Sequence, residues 1–208
     1  MLNICVPVLK RYDLFFDLFE SLGESTLRPD KIYVINNGTG RIFQDPLIEC
    51  YTPPTPLGVA ASWNWFIANV PADRVISNDD ITFAQDSLAR MQECPAALVT
   101  CGFGFSCFLL RDSCIETVGL FDEELSPGYA YFEDLDYLRR IQLQGIPDVV
   151  VECGVQHRQS STPQHYTSAE IVEHNRKFEL SRANYTAKWG KPDWGQLRAI
   201  GGHGAAVD

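Results

Sequence analysis

The feature that most constrains this chain is a repeated alternation of short apolar runs with amphipathic segments in its first eighty residues. The runs at 2–8 (LNICVPV), 31–35 (KIYVI) and 74–77 (RVIS) are short and rich in Ile and Val, as buried strands are. Leucine and phenylalanine recur at helical spacing over 11–23, and 58–70 is predicted as a second helix. This alternation predicts an α/β fold with a central, mostly parallel sheet flanked by helices on both faces.

Polar residues follow each of these three predicted strands, in the segments 7–12, 36–40 and 78–80. Sheets of this kind bind ligands at the carboxyl ends of their parallel strands. We therefore expect the three segments to meet at one edge of the sheet.

In the second half of the chain, the alternation of predicted strands and helices continues less regularly. We expect strands at 96–100 and 102–111 and helices at 134–144 and 166–189, with Gly-Lys-Pro as the stop of the last helix. The final residues, GGHGAAVD, are expected to be frayed or to mark where a longer chain was cut. The 208 residues fit one domain of ordinary size.

Charge and composition exclude several classes of protein. The chain has 17 Lys and Arg against 27 Asp and Glu, a net charge of −10, so we expect no nucleic-acid partner. A hydrophobic fraction of 45% sets aside intrinsic disorder. We find no transmembrane run or signal peptide and expect a cytoplasmic protein with at most peripheral membrane contact. Seven cysteines without a C-x-x-C pair predict reduced thiols.

The sharpest local signal is Asn78-Asp79-Asp80, which directly follows the predicted strand at 74–77. Two adjacent carboxylates repel each other, and burying them costs free energy unless a cation or hydrogen-bond donors compensate. Such oxygen ligands suit Mg²⁺ or Mn²⁺ shared with a substrate phosphate. Asparagine and aspartate are also common turn residues, so the tripeptide by itself favours an exposed turn.

A second acidic group changes that balance. Six acids and no Lys or Arg lie between positions 122 and 136: Asp122, Glu123, Glu124, Glu133, Asp134 and Asp136. The exposed amides at a helix start favour carboxylates, which accounts for one of these acids but not for three. A carboxylate held near others has a raised pKa, which makes Asp134 or Glu133 a candidate general base.

The histidines and the missing motifs narrow the chemistry further. His157 follows an apolar strand and could reach the same edge as the acids, whereas His165, His174 and His203 are predicted to lie on the surface. The sequence has no G-x-S-x-G, no P-loop and no G-x-G-x-x-G after the first strand, which argues against hydrolase, kinase and dinucleotide-binding functions.

The order of these motifs resembles the family 2 nucleotide-sugar glycosyltransferases, which have the GT-A fold. The matching elements are ICVPVLKRYDLF, VINNGTG, GVAASWN at 58–64, NDD at 78–80, VGLFDEEL…YFEDLDYLRR at 118–140, the histidine at 157, and KWG at 188–190. The resemblance covers nearly the whole chain. It implies a single Rossmann-like GT-A domain over 1–208, with a nucleotide-binding part of about 1–100 and an acceptor-binding part of about 101–190.

The resemblance also implies roles at the donor side. The donor is expected to contact Pro7, Val8, Asn36, Gly58, Asn64, Asn78 and Asp79. Asp79 would meet the ribose or the shell of a metal, Mn²⁺ or Mg²⁺, that Asp80 binds, and His157 would be a metal or diphosphate ligand. Two positions depart from the family: Asn78 stands for the first Asp of the D-x-D motif, and Asn36 for the Asp that contacts the base.

At the acceptor side the resemblance implies a hexosyl transfer, with inversion, from a UDP-linked sugar to a hydroxyl of a glycan or glycoconjugate. Asp134 would deprotonate the hydroxyl, Glu133 would orient acceptor or donor, and Tyr131 and Asp136 would contact the acceptor. A retaining outcome stays open from sequence.

Size and motif order are also similar to the glycosyltransferase domains that begin larger capsid-glycan enzymes of chlorella viruses, which would place the chain in the host cytoplasm. Two alternatives stay open. A nucleotidyltransferase shares the sheet and the acidic site, and Lys10 and Arg11 could serve its triphosphate. A catalytically silent carbohydrate-binding domain could keep the fold alone.

Overall fold

The computed structural model describes residues 1–71, 73–127, 131–158 and 163–192. The strands are β1 (Leu2–Val8), β2 (Lys31–Asn36), β3 (Ile48–Tyr51), β4 (Asp73–Ser77), β5 (Ile81–Thr82), β6 (Leu98–Thr100), β7 (Cys107–Leu110), β8 (Asp148–Val150) and β9 (Gln156–His157). The helices are α1 (Tyr12–Gly23), α2 (Val59–Asn69), α3 (Ser87–Glu93), α4 (Asp112–Val118), α5 (Glu133–Leu143) and α6 (Ser168–Trp189). None of the helices in these ranges is both long and apolar enough to span a bilayer.

Seven strands form the central sheet in the order β3-β2-β1-β4-β7-β6-β8. Strands β1 to β4 run parallel to one another, and β6 and β8 are parallel to each other. Strand β7 lies antiparallel to both of its neighbours, β4 and β6. The prediction of a mostly parallel, mixed sheet is confirmed. Strands β5 and β9 form a separate antiparallel pair.

Alternate residues of β1 enter two apolar layers, one on each face of the sheet. Ile4 and Val6 join the layer that contains the buried side of α1, with Phe15 and Leu18. Cys5 points to the opposite layer, which contains residues of α2, α4 and α5. Because strand side chains alternate between faces, a strand buried on both sides needs this unbroken apolar run. The helices therefore cover both faces, as predicted.

The strand predicted over 102–111 is wrong in its first half. Gly102 and Gly104 have φ angles of +77° and +56°, which an extended strand does not allow. The chain makes a bend and a short 3₁₀ turn, Gly104–Ser106, and becomes a strand only from Cys107. This turn reaches the carboxyl end of β4, because the Asn78 amide donates to the Ser106 carbonyl over 2.8 Å.

Helix α6 begins and ends close to the predicted bounds. Its start is a capping box: the Thr167 hydroxyl accepts from the Glu170 amide, and the Glu170 carboxylate accepts from the Thr167 amide. Gly190, with φ of +83°, ends it. One side of α6 packs on a third apolar cluster that includes Leu125, Phe132 and Tyr185. The GGHGAAVD tail and His203 lie outside the described residues.

All seven cysteines are free thiols in this structure, and five of them are buried. Burial raises the pKa of the Cys5 thiol far above its ordinary value. A thiol in such surroundings stays protonated and unreactive, so Cys5 serves the core.

Candidate active site

The carboxyl ends of β1, β2 and β4 meet at one edge of the sheet, as the sequence predicts. Val8 pairs in register with Asn36, and the Asn37 amide donates to the Val8 carbonyl over 2.7 Å. The loop after β4 joins them, because the Asp79 carboxylate accepts a hydrogen bond from the Leu9 amide. Three segments distant in sequence thus form one continuous rim.

The Asn36 side chain organises the turn that follows β2. Its Oδ1 accepts the Tyr12 hydroxyl over 2.8 Å and the Gly38 amide over 3.3 Å, while its Nδ2 donates to the Gly40 carbonyl over 2.9 Å. A Cβ at Gly38 would lie 1.9 Å from the Leu9 carbonyl oxygen, so only glycine fits there. The asparagine at this position therefore shapes the rim through contacts with its own loop.

Asp79 and Asp80 are buried after β4, each with 7% of its surface exposed. The exposed turn that the tripeptide alone favours is therefore wrong. Burial and the neighbouring Asp80 charge raise the pKa of the Asp79 carboxyl to about 8. The guanidinium of Arg11, whose charge acts on both acids, is engaged by Asp13 over 2.6 and 2.9 Å. The acids thus share an arginine that is already committed elsewhere.

His157 reaches the same place from β9. Strand β5 continues directly from the acidic turn, and Ile81 pairs with His157 in the β5–β9 ladder. The pairing brings His157 Nε2 to 3.1 Å from Asp80 Oδ1, with both side chains buried. The Phe103 ring meets the imidazole edge-on at 5.6 Å and limits its movement. Carboxylate oxygens and one imidazole nitrogen are ligands that suit Mn²⁺.

Within the described residues, no group of three His, Cys, Asp or Glu forms a complete metal site. Mg²⁺ and similar ions are commonly held by one or two carboxylates, with substrate phosphates and water in the remaining positions. Asp80 and His157 fit such an incomplete site. Asp79 is not counted with these two ligands, because its carboxylate already accepts a hydrogen bond from the Leu9 amide.

The second acidic group begins α5 after an unusual turn. Tyr131 and Phe132 both have positive φ, +96° and +74°, which non-glycine residues adopt at a cost. The turn buries Glu133, whose carboxylate accepts from the Tyr131 amide and the Ser126 hydroxyl. Burial and the Asp134 charge raise the pKa of Glu133 to about 8. Asp134 itself lies half-buried on the first turn of α5.

The 3₁₀ turn Gly104–Ser106 contacts the elements that carry both acidic groups. Ser106 accepts the Asn78 amide, one residue before Asp79. On the other side, the Phe105 ring packs edge-on against Tyr137, one turn after Glu133, with centroids 6.2 Å apart. The loop after β4 and helix α5, which carry the two acidic groups, thus both contact this turn, through Asn78 and Tyr137.

No protein-family model and no curated protein matches the chain. Solved structures do. The mannosyltransferase PcManGT from Pyrobaculum calidifontis, solved with GDP-Man and Mn²⁺, has a TM-score of 0.56 at 13% identity, over 96% of this chain and 79% of that one. Glucosyl-3-phosphoglycerate synthase from Mycobacterium tuberculosis, solved with Mn²⁺, UDP and glucosyl-3-phosphoglycerate, has a TM-score of 0.60 at 13% identity, over 94% and 82%.

Residues 1–349 of S. aureus TarS, solved with UDP-GlcNAc, have a TM-score of 0.57 at 11% identity, over 89% of this chain and 66% of that one. These neighbours and the sheet order decide the architecture. The chain has the GT-A fold.

Within this GT-A fold, some residues predicted at the donor site have other partners. The Val8 side chain is fully buried in the core layer that faces α1. The Asn64 amide is used up by the 121–123 segment: Nδ2 donates to the Phe121 carbonyl and Glu123 Oε1, and Oδ1 accepts the Phe121 amide. These contacts argue against direct donor binding by either side chain. Pro7, Gly58 and Asn78 remain half-buried.

Asp136 is also engaged elsewhere. It is fully buried, and its oxygens lie 2.9 Å from Arg140 Nε, 2.7 Å from Lys188 Nζ and 2.8 Å from Trp189 Nε1. Both oxygens are engaged, so the structure argues against the predicted acceptor contact. The KWG segment at 188–190 thereby acquires a structural role, since Lys188 and Trp189 attach the end of α6 to α5.

Two further residues stand in unexpected places. Lys10, which kept a triphosphate-binding function open, lies 2.6 Å from Glu170 Oε1 and 5.1 Å from the Tyr166 ring centre. His174, predicted to lie at the surface, is half-buried, and its Nε2 lies 3.1 Å from the Tyr131 hydroxyl. A signal for it exists in the sequence: positions 174, 178, 181 and 185 recur at helical spacing along α6.

Proposed function

We propose that this chain is a divalent-cation-dependent glycosyltransferase. It moves a sugar of the hexosyl kind from a nucleoside diphosphate, with UDP as the first candidate, to a hydroxyl of a glycan acceptor in the cytoplasm. The GT-A fold supports the proposal, as do neighbours whose structures contain GDP-Man or UDP-GlcNAc. The donor part comprises about residues 1–100, and the acceptor part about 101–190.

The observation that carries the proposal is the burial of Asp79 and Asp80 together at the carboxyl end of β4. Two adjacent carboxylates with 7% exposure each are costly as anions, and the pKa of Asp79 rises to about 8 as a result. A fold that needed only stability gains nothing from such a pair. A bound cation turns this cost into affinity, because it favours the ionised form of Asp79.

Asp80 and His157 would hold the cation, Mn²⁺ or Mg²⁺, beside the donor diphosphate. When bound, the ion neutralises the charge that develops on the departing diphosphate. Asp79 contacts the donor ribose, and the 36–40 turn borders the base. The Asn36 contacts with Tyr12 and Gly40 hold the loop after β1 against the 36–40 turn at this rim.

Asp134 acts as the base in this proposal. It accepts the proton of the acceptor hydroxyl while the hydroxyl oxygen bonds to the anomeric carbon of the donor. The bond from that carbon to the diphosphate breaks, the electron pair leaves with the diphosphate, and the configuration at the anomeric carbon inverts. Asp134 suits the role because it is half-buried, whereas the neighbouring Glu133 is buried and has a pKa of about 8. A protonated Glu133 can donate a hydrogen bond and orient the sugars.

A thermal-shift panel of nucleotide sugars, each with and without Mn²⁺, tests the proposal first. Ligands that bind only the folded state raise the melting temperature. We expect stabilisation by UDP sugars that depends on Mn²⁺, followed by release of UDP when a glycan acceptor is added. Stabilisation without turnover favours the silent binding domain. Turnover of a nucleoside triphosphate with a sugar phosphate favours the nucleotidyltransferase.

Calorimetry on the Asp80→Ala variant then tests the cation site. The variant retains Asp79 but loses the carboxylate that His157 faces, so UDP binding in the presence of Mn²⁺ should weaken at least about 100-fold. Asp148→Ala, which removes an exposed aspartate of β8, is the matched control and should bind as the wild type does. Equal affinity of Asp80→Ala and wild type would refute the assignment of Asp80.

A further inference from the structure

The turn that presents the Glu133-Asp134 pair has a backbone that needs outside support. Tyr131 and Phe132 are the only non-glycine residues with positive φ in the described part of the chain, and they stand next to each other. Such conformations persist only where the surroundings over-determine them, and they cluster at functional sites. Glu133 follows these two residues directly, so the backbone of the turn determines where its side chain begins.

The support comes from α6, more than forty residues further along the chain. The Tyr131 ring meets His174 edge-on at 5.3 Å and Phe178 edge-on at 5.1 Å. The Phe132 ring packs against Phe178 at 5.4 Å and Tyr185 at 5.6 Å. One face of α6 thus contacts both strained residues through aromatic rings.

A polar contact between Tyr131 and His174 accompanies this ring packing. The Tyr131 hydroxyl and His174 Nε2 lie 3.1 Å apart, in a part-buried place where a hydrogen bond is well preserved. Burial lowers the pKa of the His174 imidazole and raises the pKa of the Tyr131 hydroxyl, so both groups stay neutral near pH 7. Rings alone could slide along α6, whereas a hydrogen bond between fixed atoms defines one position.

We propose that His174 is a positioning residue: through the Tyr131 hydroxyl it fixes the left-handed turn 131–132 and thereby the carboxylates of Glu133 and Asp134. The proposal rests on the proposed function in assigning chemistry to these acids. His174 itself touches neither donor nor acceptor. Its substitution should therefore lower the rate of transfer while donor binding, which depends on Asp80 and His157, stays unchanged.

Three variants test this assignment in the full chain. His174→Ala removes the hydrogen bond and the ring, and kcat should fall by up to about 100-fold while the affinity for UDP with Mn²⁺ stays within about twofold. His174→Gln places an amide near the original Nε2 and should restore most of kcat. His165→Ala, the same change at an exposed histidine, should behave as the wild type does.

A purely structural role for His174 predicts a different pattern. The loss of activity would then follow the loss of folded protein, and glutamine would rescue neither. If His174→Ala does not fold, Tyr131→Phe serves instead, because it keeps the ring contacts and deletes only the hydroxyl. In the double variant with His174→Phe, which keeps a ring but deletes the nitrogen, the two losses should not add, since both changes remove the same hydrogen bond. Additive losses would overturn the proposal.

Amide hydrogen exchange separates this proposal from the proposed function. Exchange at residues 131–135 should accelerate at least about tenfold in Tyr131→Phe, with exchange in β1 and β4 unchanged. This readout needs no turnover. A wild-type protein without glycosyl transfer would refute the proposed function while the exchange result still decides the role of His174. Full kcat in His174→Ala, or unchanged exchange in Tyr131→Phe, would refute the role of His174 alone.

Discussion

The acidic turn after β4 and the acidic start of α5 place similar side chains under opposite conditions. At the turn, Asp79 and Asp80 are both buried, and Arg11, whose charge acts on both, is engaged by Asp13. At α5, Asp136 is buried even more completely but is paired with Arg140 and Lys188. The second group is thus paired with two cations of its own chain, whereas the first faces the His157 imidazole across 3.1 Å.

This difference teaches how the role of an acid can be inferred from what neutralises it. Asp136, neutralised by permanent cations, fastens α5 to the end of α6. Glu133 tolerates burial because its carboxyl stays protonated, as its pKa of about 8 indicates. Asp79 has a similarly raised pKa, but it stands beside a second carboxylate and a histidine, where an added cation changes the balance. Only the arrangement of Asp79 beside Asp80 and His157 is suited to a ligand that binds and dissociates.

The largest expected effect is on the half-buried acid of α5. Asp134→Asn keeps the shape of the side chain but cannot accept a proton, so kcat for transfer should fall by about 10²- to 10⁴-fold. Donor binding, measured by calorimetry with UDP and Mn²⁺, should not change. Glu124→Gln, at an exposed acid before α5, is the matched control. Retained turnover in Asp134→Asn would transfer the role of base to Glu133 and weaken the contrast between the two groups.

The next effect concerns the acid that is neutralised from within. Asp136→Ala leaves the Arg140 and Lys188 charges and the Trp189 indole without their shared partner. Removing one member of a buried ion pair typically costs about 3–5 kcal/mol of unfolding free energy. Urea unfolding measures it, with Asp148→Ala as the exposed control. A loss below about 1 kcal/mol would mean that the pair is not structural, and acceptor contact by Asp136 would become tenable again.

Much of the first half of the fold could be predicted because its elements are long and strongly patterned. Strand β1 is predicted from its unbroken run of apolar residues, and helix α1 from the helical spacing of its apolar residues. The two-residue strands β5 and β9 carry no such pattern, although their pairing is what brings His157 to Asp80. The turn at 104–106 could not be predicted, because Gly102 and Gly104 adopt positive φ, which a hydrophobicity pattern does not reveal.

The candidate site divides along the same line. The adjacency of Asp79 and Asp80 is visible in the sequence, and it suffices to predict a costly pair at a strand end. The roles of Asp136 and Asn64 depend on partners 53 and 57 residues away, namely Trp189 and Phe121. Nothing in a single sequence identifies those partners, since they meet only after the helices have packed. Sequence therefore indicates which residues are chemically capable, and packing decides which are available.

A smaller effect should appear in the pH dependence of stability. The native pKa of Glu133, about 8, lies above its unfolded value, so its stabilising contribution is full at low pH and is lost as the pH rises through 8. Glu133→Gln does not ionise. Relative to wild type without metal, its unfolding free energy should gain on the order of 3 kcal/mol between pH 5 and pH 9. Because Asp79 titrates in both proteins, the difference isolates Glu133. A difference independent of pH would show that Glu133 is ionised throughout.

The smallest effect should separate the two acidic groups most directly. His157→Gln removes an imidazole that faces Asp80 over 3.1 Å but retains both aspartates, so Mn²⁺ affinity should fall by about 10- to 100-fold without being abolished. Calorimetric titration with Mn²⁺ in the presence of UDP measures it, with His165→Ala as the matched control. The pH dependence attributed to Glu133 should be unaffected, because that carboxyl is neutralised by its own proton and not by the cation. If the histidine variant instead changed the titration of Glu133 and left Mn²⁺ affinity intact, then the two acidic groups would form one electrostatic unit, and the distinction between an acid that awaits a cation and an acid that keeps its proton would have to be abandoned.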